Sequence, residues 1–104
     1  MKLITADIQK KLDKNFAEQN DEDIVLKLFN PCGGQTWLIT QMEPDGDIMW
    51  GLADLGFDCV EYGTISMNEL KAFKGPLGIG IERDMYFRGG KVSDFSSKRS
   101  LAGC

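Results

Sequence analysis

Three consecutive charged residues, Glu82, Arg83 and Asp84, are the best candidates for chemistry in this chain. On a β-strand, Glu82 and Asp84 point to one side and Arg83 to the other, because side chains alternate. Two carboxylates on one face could form an acid/base pair or hold a divalent cation, and Arg83 could bind an anion. The alternative is structural, since arginine–carboxylate pairs have a specific geometry and would fasten this strand to its neighbours. We favour the structural role.

The glycine-rich sequence GPLGIG, residues 75–80, precedes this cluster. Glycines allow backbone N–H groups to approach a phosphate, but phosphate loops of that kind lead from a strand into a helix. Here a predicted helix comes before the glycines, so we expect Gly75 to end it in a left-handed conformation. The alternation that follows predicts inward-facing side chains at Leu77, Ile79 and Ile81.

The chain contains no histidine. This removes the commonest general base at neutral pH and the Ser–His and Cys–His nucleophile pairs. Cys32 lies beside two glycines and near Trp37, but no imidazole is available to activate its thiol, so we expect it to lie in a loop. The three cysteines have no metal-binding spacing, and we predict neither a metal nor a cofactor. These observations favour a binding protein over an enzyme.

The net charge is −4, and the charges are unevenly distributed. Residues 28–70 contain no lysine or arginine and many acids, whereas the chain from Lys71 onward is mostly basic. An acidic surface disfavours direct DNA binding, because Lys and Arg neutralise the phosphates, and it favours a basic protein partner. The acids that we predict to contact this partner are Asp45, Asp47, Asp54 and Asp58.

Two tryptophans, Trp37 and Trp50, lie on the two strands of a predicted hairpin. Core packing is the usual role of aromatic residues in strands. The alternative is that both rings flank a surface cleft, and on that basis they are candidate binding residues.

The local patterns predict a helix, a series of strands and a second helix. Thr5 caps the first helix, and Ile8, Leu12 and Phe16 form its apolar stripe. Ser66 and Glu69 match a capping box for a short second helix. The predicted strands are residues 24–29, 36–43, 48–53 and 60–66, with a PDGD turn at residues 44–47. The expected fold class is α+β, with an N-terminal helix, an antiparallel meander of about four strands, a short second helix and a C-terminal extended segment.

A chain of 104 residues is expected to form a single domain. We place that domain at residues 1–90 and expect residues 91–104, which are rich in serine, to be a flexible tail. Since no apolar stretch approaches the length of a membrane span or a secretion signal, we expect a cytoplasmic protein without membrane contact. It is expected to be a monomer or a homodimer, and an exposed strand edge could pair with a second copy.

Several short motifs occur in a characteristic order along the chain: Thr36-Trp37, Asp45-Gly46, Trp50-Gly51-Leu52, residues 63–66 with Glu69-Leu70, and residues 75–84. This order resembles the domain-of-unknown-function 2958 family, small bacterial proteins found largely on plasmids and conjugative elements. The resemblance covers about residues 1–88 and implies a bacterial, mobile-element setting. It supplies no activity and no catalytic residues.

Charge pattern and resemblance together predict a small binding protein that engages a basic protein through its acidic middle, with an anti-defence role as a hypothesis. The alternative is a small enzyme or metal-dependent hydrolase that uses Glu82 and Asp84, with Arg83 as the anion binder.

Overall fold

The computed structural model describes residues 3–55 and 60–96. Its helices are α1 (Ala6–Ala17), α2 (Met67–Ala72) and α3 (Val92–Ser96). Its strands are β1 (Asp23–Ile24), β2 (Leu26–Phe29), β3 (Thr36–Met42), β4 (Ile48–Asp54), β5 (Val60–Ser66), β6 (Glu82–Arg83) and β7 (Gly90–Lys91).

Five of these strands form one antiparallel sheet in the spatial order β5-β4-β3-β2-β6, and β1 pairs separately with β7. The predicted meander corresponds to β2 through β5, and the α+β class is confirmed. The run predicted as a single strand at residues 24–29 is divided at Val25, whose N–H donates to Ile39 O at 2.9 Å.

Helix α1 starts where the sequence predicts, because Thr5 Oγ1 accepts a hydrogen bond of 3.2 Å from Ile8 N. Its apolar stripe packs on the sheet, and Leu12 is fully buried. A buried polar residue on this helix, Asn15, was not predicted. Its amide donates to Thr40 O at 2.9 Å, which replaces the water that burial removes and ties α1 to β3.

The two faces of the sheet carry separate apolar clusters. The face covered by α1 and α2, called the α1 face, holds the larger core, which includes Leu12, Leu28, Ile39, Met49 and Met67. The opposite face, called the α3 face, holds Ile24, Leu38, Leu52 and Val60, with Phe87 and Val92 packed against them.

A β-bulge at Thr40 shifts the register between β3 and β4. The Thr40 hydroxyl is fully buried and lies 3.1 Å from Trp50 O and 2.9 Å from the Tyr62 hydroxyl. The bulge thereby links three neighbouring strands through one side chain.

Residues 90–96 continue the described chain against β1. The Lys91 ammonium forms an ion pair with Asp23, and Val92 N donates to Glu22 O at 2.8 Å. The predicted domain end at residue 90 stays a prediction, and residues 97–104 of the predicted tail lie outside the described residues.

The glycine-rich segment differs from the sequence prediction. Helix α2 ends at Ala72, and its C-cap residue Phe73 has an extended backbone with φ of −63° and ψ of 131°. Gly75 does not have a positive φ, so the expected left-handed cap at this residue is wrong. The left-handed residues are instead Leu77 and Gly78, with φ of 60° and 75°, in a 3-10 turn closed by a 3.0 Å bond from Gly78 N to Gly75 O. This turn interrupts the expected alternation: Leu77 is 98% exposed, whereas Ile81 is buried.

Among the helices of the described residues, none has the length and apolar character that crossing a membrane requires.

Candidate functional site

The charged cluster forms strand β6 and its continuation. Arg83 lies opposite Leu28 and Glu82 opposite Phe29, while Asp84 N donates to Lys27 O at 2.9 Å. Residues opposite each other share a face, so Arg83 lies on the α1 face and the two carboxylates on the α3 face. The predicted alternation is therefore present.

Both oxygens of the Asp84 carboxylate have partners within the chain. Oδ1 accepts a 2.9 Å hydrogen bond from Tyr86 N, which closes the turn after β6. Oδ2 lies 3.5 Å from the ammonium nitrogen of Lys27 on β2. These contacts tie the short edge strand to the sheet, as a structural role for this aspartate requires.

A groove of about 550 Å³ lies between β6 with its following turn and the turn that joins β2 to β3. We call it the β6 groove. Its lining includes two acidic and two basic residues, and Tyr86, which is 85% exposed. The charged residues are Glu82, Asp84, Lys27 and Arg83. The β2–β3 turn is organised by Asn30, which accepts from Cys32 N at 3.0 Å. Cys32 is exposed in this turn, so its predicted place in a loop is confirmed.

The two tryptophans lie on opposite faces of the sheet. Trp37 pairs with Ala53, so these two residues lie on the same face. Ala53 is three positions from Trp50 along β4, and side chains an odd number of positions apart lie on opposite faces. Trp37 packs against the core of the α1 face, whereas Trp50 belongs to the α3 face. The two rings therefore do not line one cleft, contrary to the alternative that the sequence left open.

Trp50 instead stacks with Tyr62 of the neighbouring strand β5. The ring centroids are 6.3 Å apart, with an angle of 26° between the planes. Trp50 Nε1 donates to Glu43 Oε2 at 2.8 Å, and the Tyr62 hydroxyl lies 2.9 Å from Thr40 Oγ1. Both rings are thus held at their polar ends by groups of β3 and its end.

Burial is the main cause that raises the pKa of the Tyr62 hydroxyl above its ordinary value. The hydrogen bond with Thr40 acts in the opposite direction, and the negative charge of Asp21 raises the pKa further. Tyr62 therefore keeps its proton at neutral pH. Asp21 is close enough for its negative charge to affect the Tyr62 hydroxyl.

Around the stacked pair lies a groove of about 650 Å³, which we call the Trp50 groove. The end of α1 and the chain that follows it form the other wall, where a left-handed residue, Gln19, turns the chain back. Neither lysine nor arginine is among the described residues that line it, and the two acidic lining residues are Asp21 and Glu43.

The aspartates predicted to contact a partner have different surroundings. Asp45 Oδ1 accepts from the backbone N–H groups of Asp47 and Ile48, at 2.8 and 3.0 Å, and so forms the turn between β3 and β4. Asp47 lies at the N-terminal end of α2, where hydrogen bonds from Asn68 N and then from the hydroxyl of the N-cap residue Ser66 lower the pKa of its carboxyl group.

The predicted aspartates do not form one patch. Asp54 ends β4, about 20 Å along that strand from Asp47, and Asp58 lies outside the described residues. The acids that the fold does bring beside an aromatic pair are Asp21 and Glu43, which were not selected from the sequence. A weak signal existed, since Trp50 and Tyr62 both occupy predicted strands in the acidic region.

Within residues 3–55 and 60–96, no group of three or more Cys, Asp or Glu side chains is placed so that it could hold a metal ion.

The family model described as "Protein of unknown function (DUF2958)" matches residues 3–103, nearly the whole chain. No curated protein and no solved structure matches the chain. The resemblance inferred from the motifs is confirmed, but its expected limit near residue 88 is wrong, because the match continues to residue 103. The chain belongs to the DUF2958 family.

Proposed function

We propose that this protein is a binding module that takes up a basic segment of a partner protein in the Trp50 groove. The observation that carries the proposal is the stacked pair of Trp50 and Tyr62 beside two carboxylates, Glu43 and Asp21. Aromatic faces attract Lys and Arg side chains, and nearby carboxylates add charge-assisted hydrogen bonds.

Several groups that line the groove are held in place by contacts within the chain. The Trp50 indole holds Oε2 of Glu43, and a carboxylate has a second oxygen that can accept from a guanidinium or ammonium group. The buried Thr40 hydroxyl fixes the end of the Tyr62 ring. Since these groups are held before binding, a basic side chain would lose little affinity to ordering them.

A protein partner fits this groove better than DNA does. Its acidic lining residues would repel phosphates, whereas DNA-binding surfaces place lysine and arginine there. The volume of about 650 Å³ is within the usual range of ligand clefts and leaves room for long side chains.

The biological role that we propose is based on the bacterial, mobile-element setting that the motif resemblance implies. The protein acts in the cytoplasm on a basic host protein or a basic protein of the element itself. An anti-defence role, in which the groove blocks a basic surface of a host factor, is the specific hypothesis.

The enzyme alternative assigns acid/base or metal-binding roles to Glu82 and Asp84 and anion binding to Arg83. It has less support, because both Asp84 oxygens are used by Tyr86 N and Lys27.

The test is calorimetric titration of the full chain with a short peptide of alternating arginine and glycine, and with a control peptide that has glutamine in place of arginine. We expect binding of the arginine peptide alone, weakened by salt. Glu43→Gln keeps an acceptor for the Trp50 indole and removes the charge, so affinity should fall by about tenfold.

Glu82→Gln is the matched control, since it makes the same chemical change in the β6 groove and should leave the affinity unchanged. Two results would overturn the proposal. One is equal binding of both peptides. The other is a loss of affinity in Glu82→Gln but not in Glu43→Gln, which would place the binding site in the β6 groove.

A further inference from the structure

Strand β5 is one edge of the five-stranded sheet, and no described strand pairs with its outer side. It is seven residues long, and only Val60 is buried; the six residues that follow are at least partly exposed. The backbone N–H and C=O groups on the outer side of an edge strand are free to pair with another chain.

The molecule protects its two sheet edges differently. At the opposite edge, β6 is two residues long and consists of Glu82 and Arg83, and short charged strands are a usual protection against pairing. Strand β5 contains no lysine and no proline. It pairs with β4 without a register shift from Ser66 to Val60, so no bulge bends this edge away.

We propose that β5 pairs antiparallel with β5 of a second copy, centred on Gly63, so that the two sheets join into one. In this register Val60 lies opposite Ser66, Glu61 opposite Ile65, and Tyr62 opposite Thr64 of the other copy. The pairing is self-complementary: Glu61, the one charged residue of β5, faces an apolar residue rather than its own copy. An aromatic residue facing a β-branched residue is a favourable cross-strand pair.

The glycine at the centre of β5, Gly63, also supports the pairing. A Cβ built there would meet nothing within 4 Å, and its φ is not in the left-handed region, so neither crowding nor a turn within its own chain requires glycine. A glycine inside a strand commonly marks the close approach of another backbone. In the proposed pair the two Gly63 residues lie opposite each other across the two-fold axis.

The pairing has a consequence for the rest of the surface. The two-fold axis is perpendicular to the joined sheet, so the α3 faces of both copies lie on the same side. The Trp50 and Tyr62 rings of both copies therefore share that side. The dimer presents two Trp50 grooves together, which raises the avidity for a partner with two basic segments.

The test is sedimentation equilibrium of the full chain over a range of concentrations, with two variants at the centre of the strand. Gly63→Lys and Gly63→Glu each place two like charges opposite each other in the dimer, while the open space at this position accepts either side chain in the monomer. We expect the wild type to dimerise as its concentration rises. Each variant alone should dimerise at least about tenfold more weakly.

An equimolar mixture of the two variants should restore the dimer, because lysine then faces glutamate. A wild type that stays monomeric at every concentration would overturn the proposal. So would a Gly63→Lys variant that dimerises as strongly as the wild type, or a mixture that stays monomeric.

Hydrogen exchange of the wild type provides a measurement that does not depend on the folding of any variant. Amides of β5 that point outward should exchange more slowly at high than at low protein concentration. Equal exchange at both concentrations contradicts pairing through this edge.

Discussion

The carboxylate of Asp47 accepts a hydrogen bond of 2.8 Å from the hydroxyl of Ser66, which lies 19 residues further along the chain. The same oxygen accepts from Asn68 N at 2.8 Å, and the Asp47 carbonyl accepts from Met67 N at 2.9 Å. Ser66 in turn accepts from Glu69 N at 3.2 Å. Asp47 in the turn before β4 and Ser66 at the end of β5 therefore together satisfy the first N–H groups of α2 and fix this helix at the end of β5.

Replacing Asp47 should destabilise the fold through α2. Asp47→Ala removes the acceptor for two donors, which would then lie unpaired at a helix terminus, so the melting temperature should fall by several degrees. Asp47→Asn retains an acceptor oxygen and should lose less. Thermal unfolding followed by circular dichroism measures both, and Glu18→Gln, at the C-terminal end of α1, serves as the control that should be neutral. Equal melting temperatures for Asp47→Ala and the wild type would show that the hydrogen bonds accepted by the Asp47 carboxylate do not stabilise the fold.

Stability should fall in acid because of the same carboxylate. Hydrogen bonds from Asn68 N and Ser66 lower the pKa of Asp47 in the folded state, and the hydrogen bond from Lys91 lowers the pKa of Asp23. A lowered folded-state pKa contributes stability that is present above the unfolded value, near pH 4, and is lost as the pH falls through the folded value.

Urea unfolding midpoints measured from pH 6 down to about pH 2 should therefore decrease below about pH 4. The decrease should be shallower for Asp47→Asn, which has no carboxyl group to protonate at that position. A midpoint that stays constant over this range contradicts the role assigned to both carboxylates.

The helices and the longer strands follow from local patterns, whereas the short strands do not. Thr5, with the apolar spacing after it, identifies α1, and alternating apolar runs identify β3 to β5. Two-residue strands such as β6 and β7 have no periodicity of their own, because their pairing with β2 and β1 is tertiary. The predicted inward position of Leu77 is wrong for a similar reason: the local alternation predicts an extended segment, whereas residues 76–78 form a turn.

The residues of the Trp50 groove also could not be grouped from local sequence patterns. Trp50 was a candidate, but Tyr62, Glu43 and Asp21 are separated from it along the chain, and only sheet pairing and the turn after α1 bring them together. The local charge pattern pointed to acids such as Asp45 that satisfy backbone groups of their own turn. Short-range patterns identify capping and turn residues well. They do not identify the residues of a surface groove, because such a groove is formed by segments that are distant along the chain.

The role of Asp84 can be tested by two substitutions that differ in one property. Asp84→Asn keeps an acceptor for Tyr86 N and loses the charge that faces Lys27. Because that ion pair is partly exposed, the free energy of unfolding should fall by less than about 1 kcal/mol. Asp84→Ala also removes the acceptor and should cost about 1 kcal/mol more. Urea unfolding gives both values. If Asp84→Asn removed a cellular phenotype at unchanged stability, the carboxylate would belong to a functional site rather than to the fastening of β6.

The two facing glycines of β4 and β5 should respond in opposite ways to alanine. Gly51 lies directly opposite Gly63, but beside the bulge a Cβ at Gly51 would lie 2.1 Å from Leu38 O and 2.8 Å from Ile39 Cα. These are backbone atoms that cannot rotate away, so Gly51→Ala should cost about 3 kcal/mol or more.

Gly63→Ala meets open space and restricts the unfolded chain, so it should stabilise the monomer by up to about 1 kcal/mol. Urea unfolding at low protein concentration compares the two variants without a contribution from self-association. Similar losses of stability in both variants would show that a side chain at position 63 meets other parts of the chain, and that the space above Gly63 is not open.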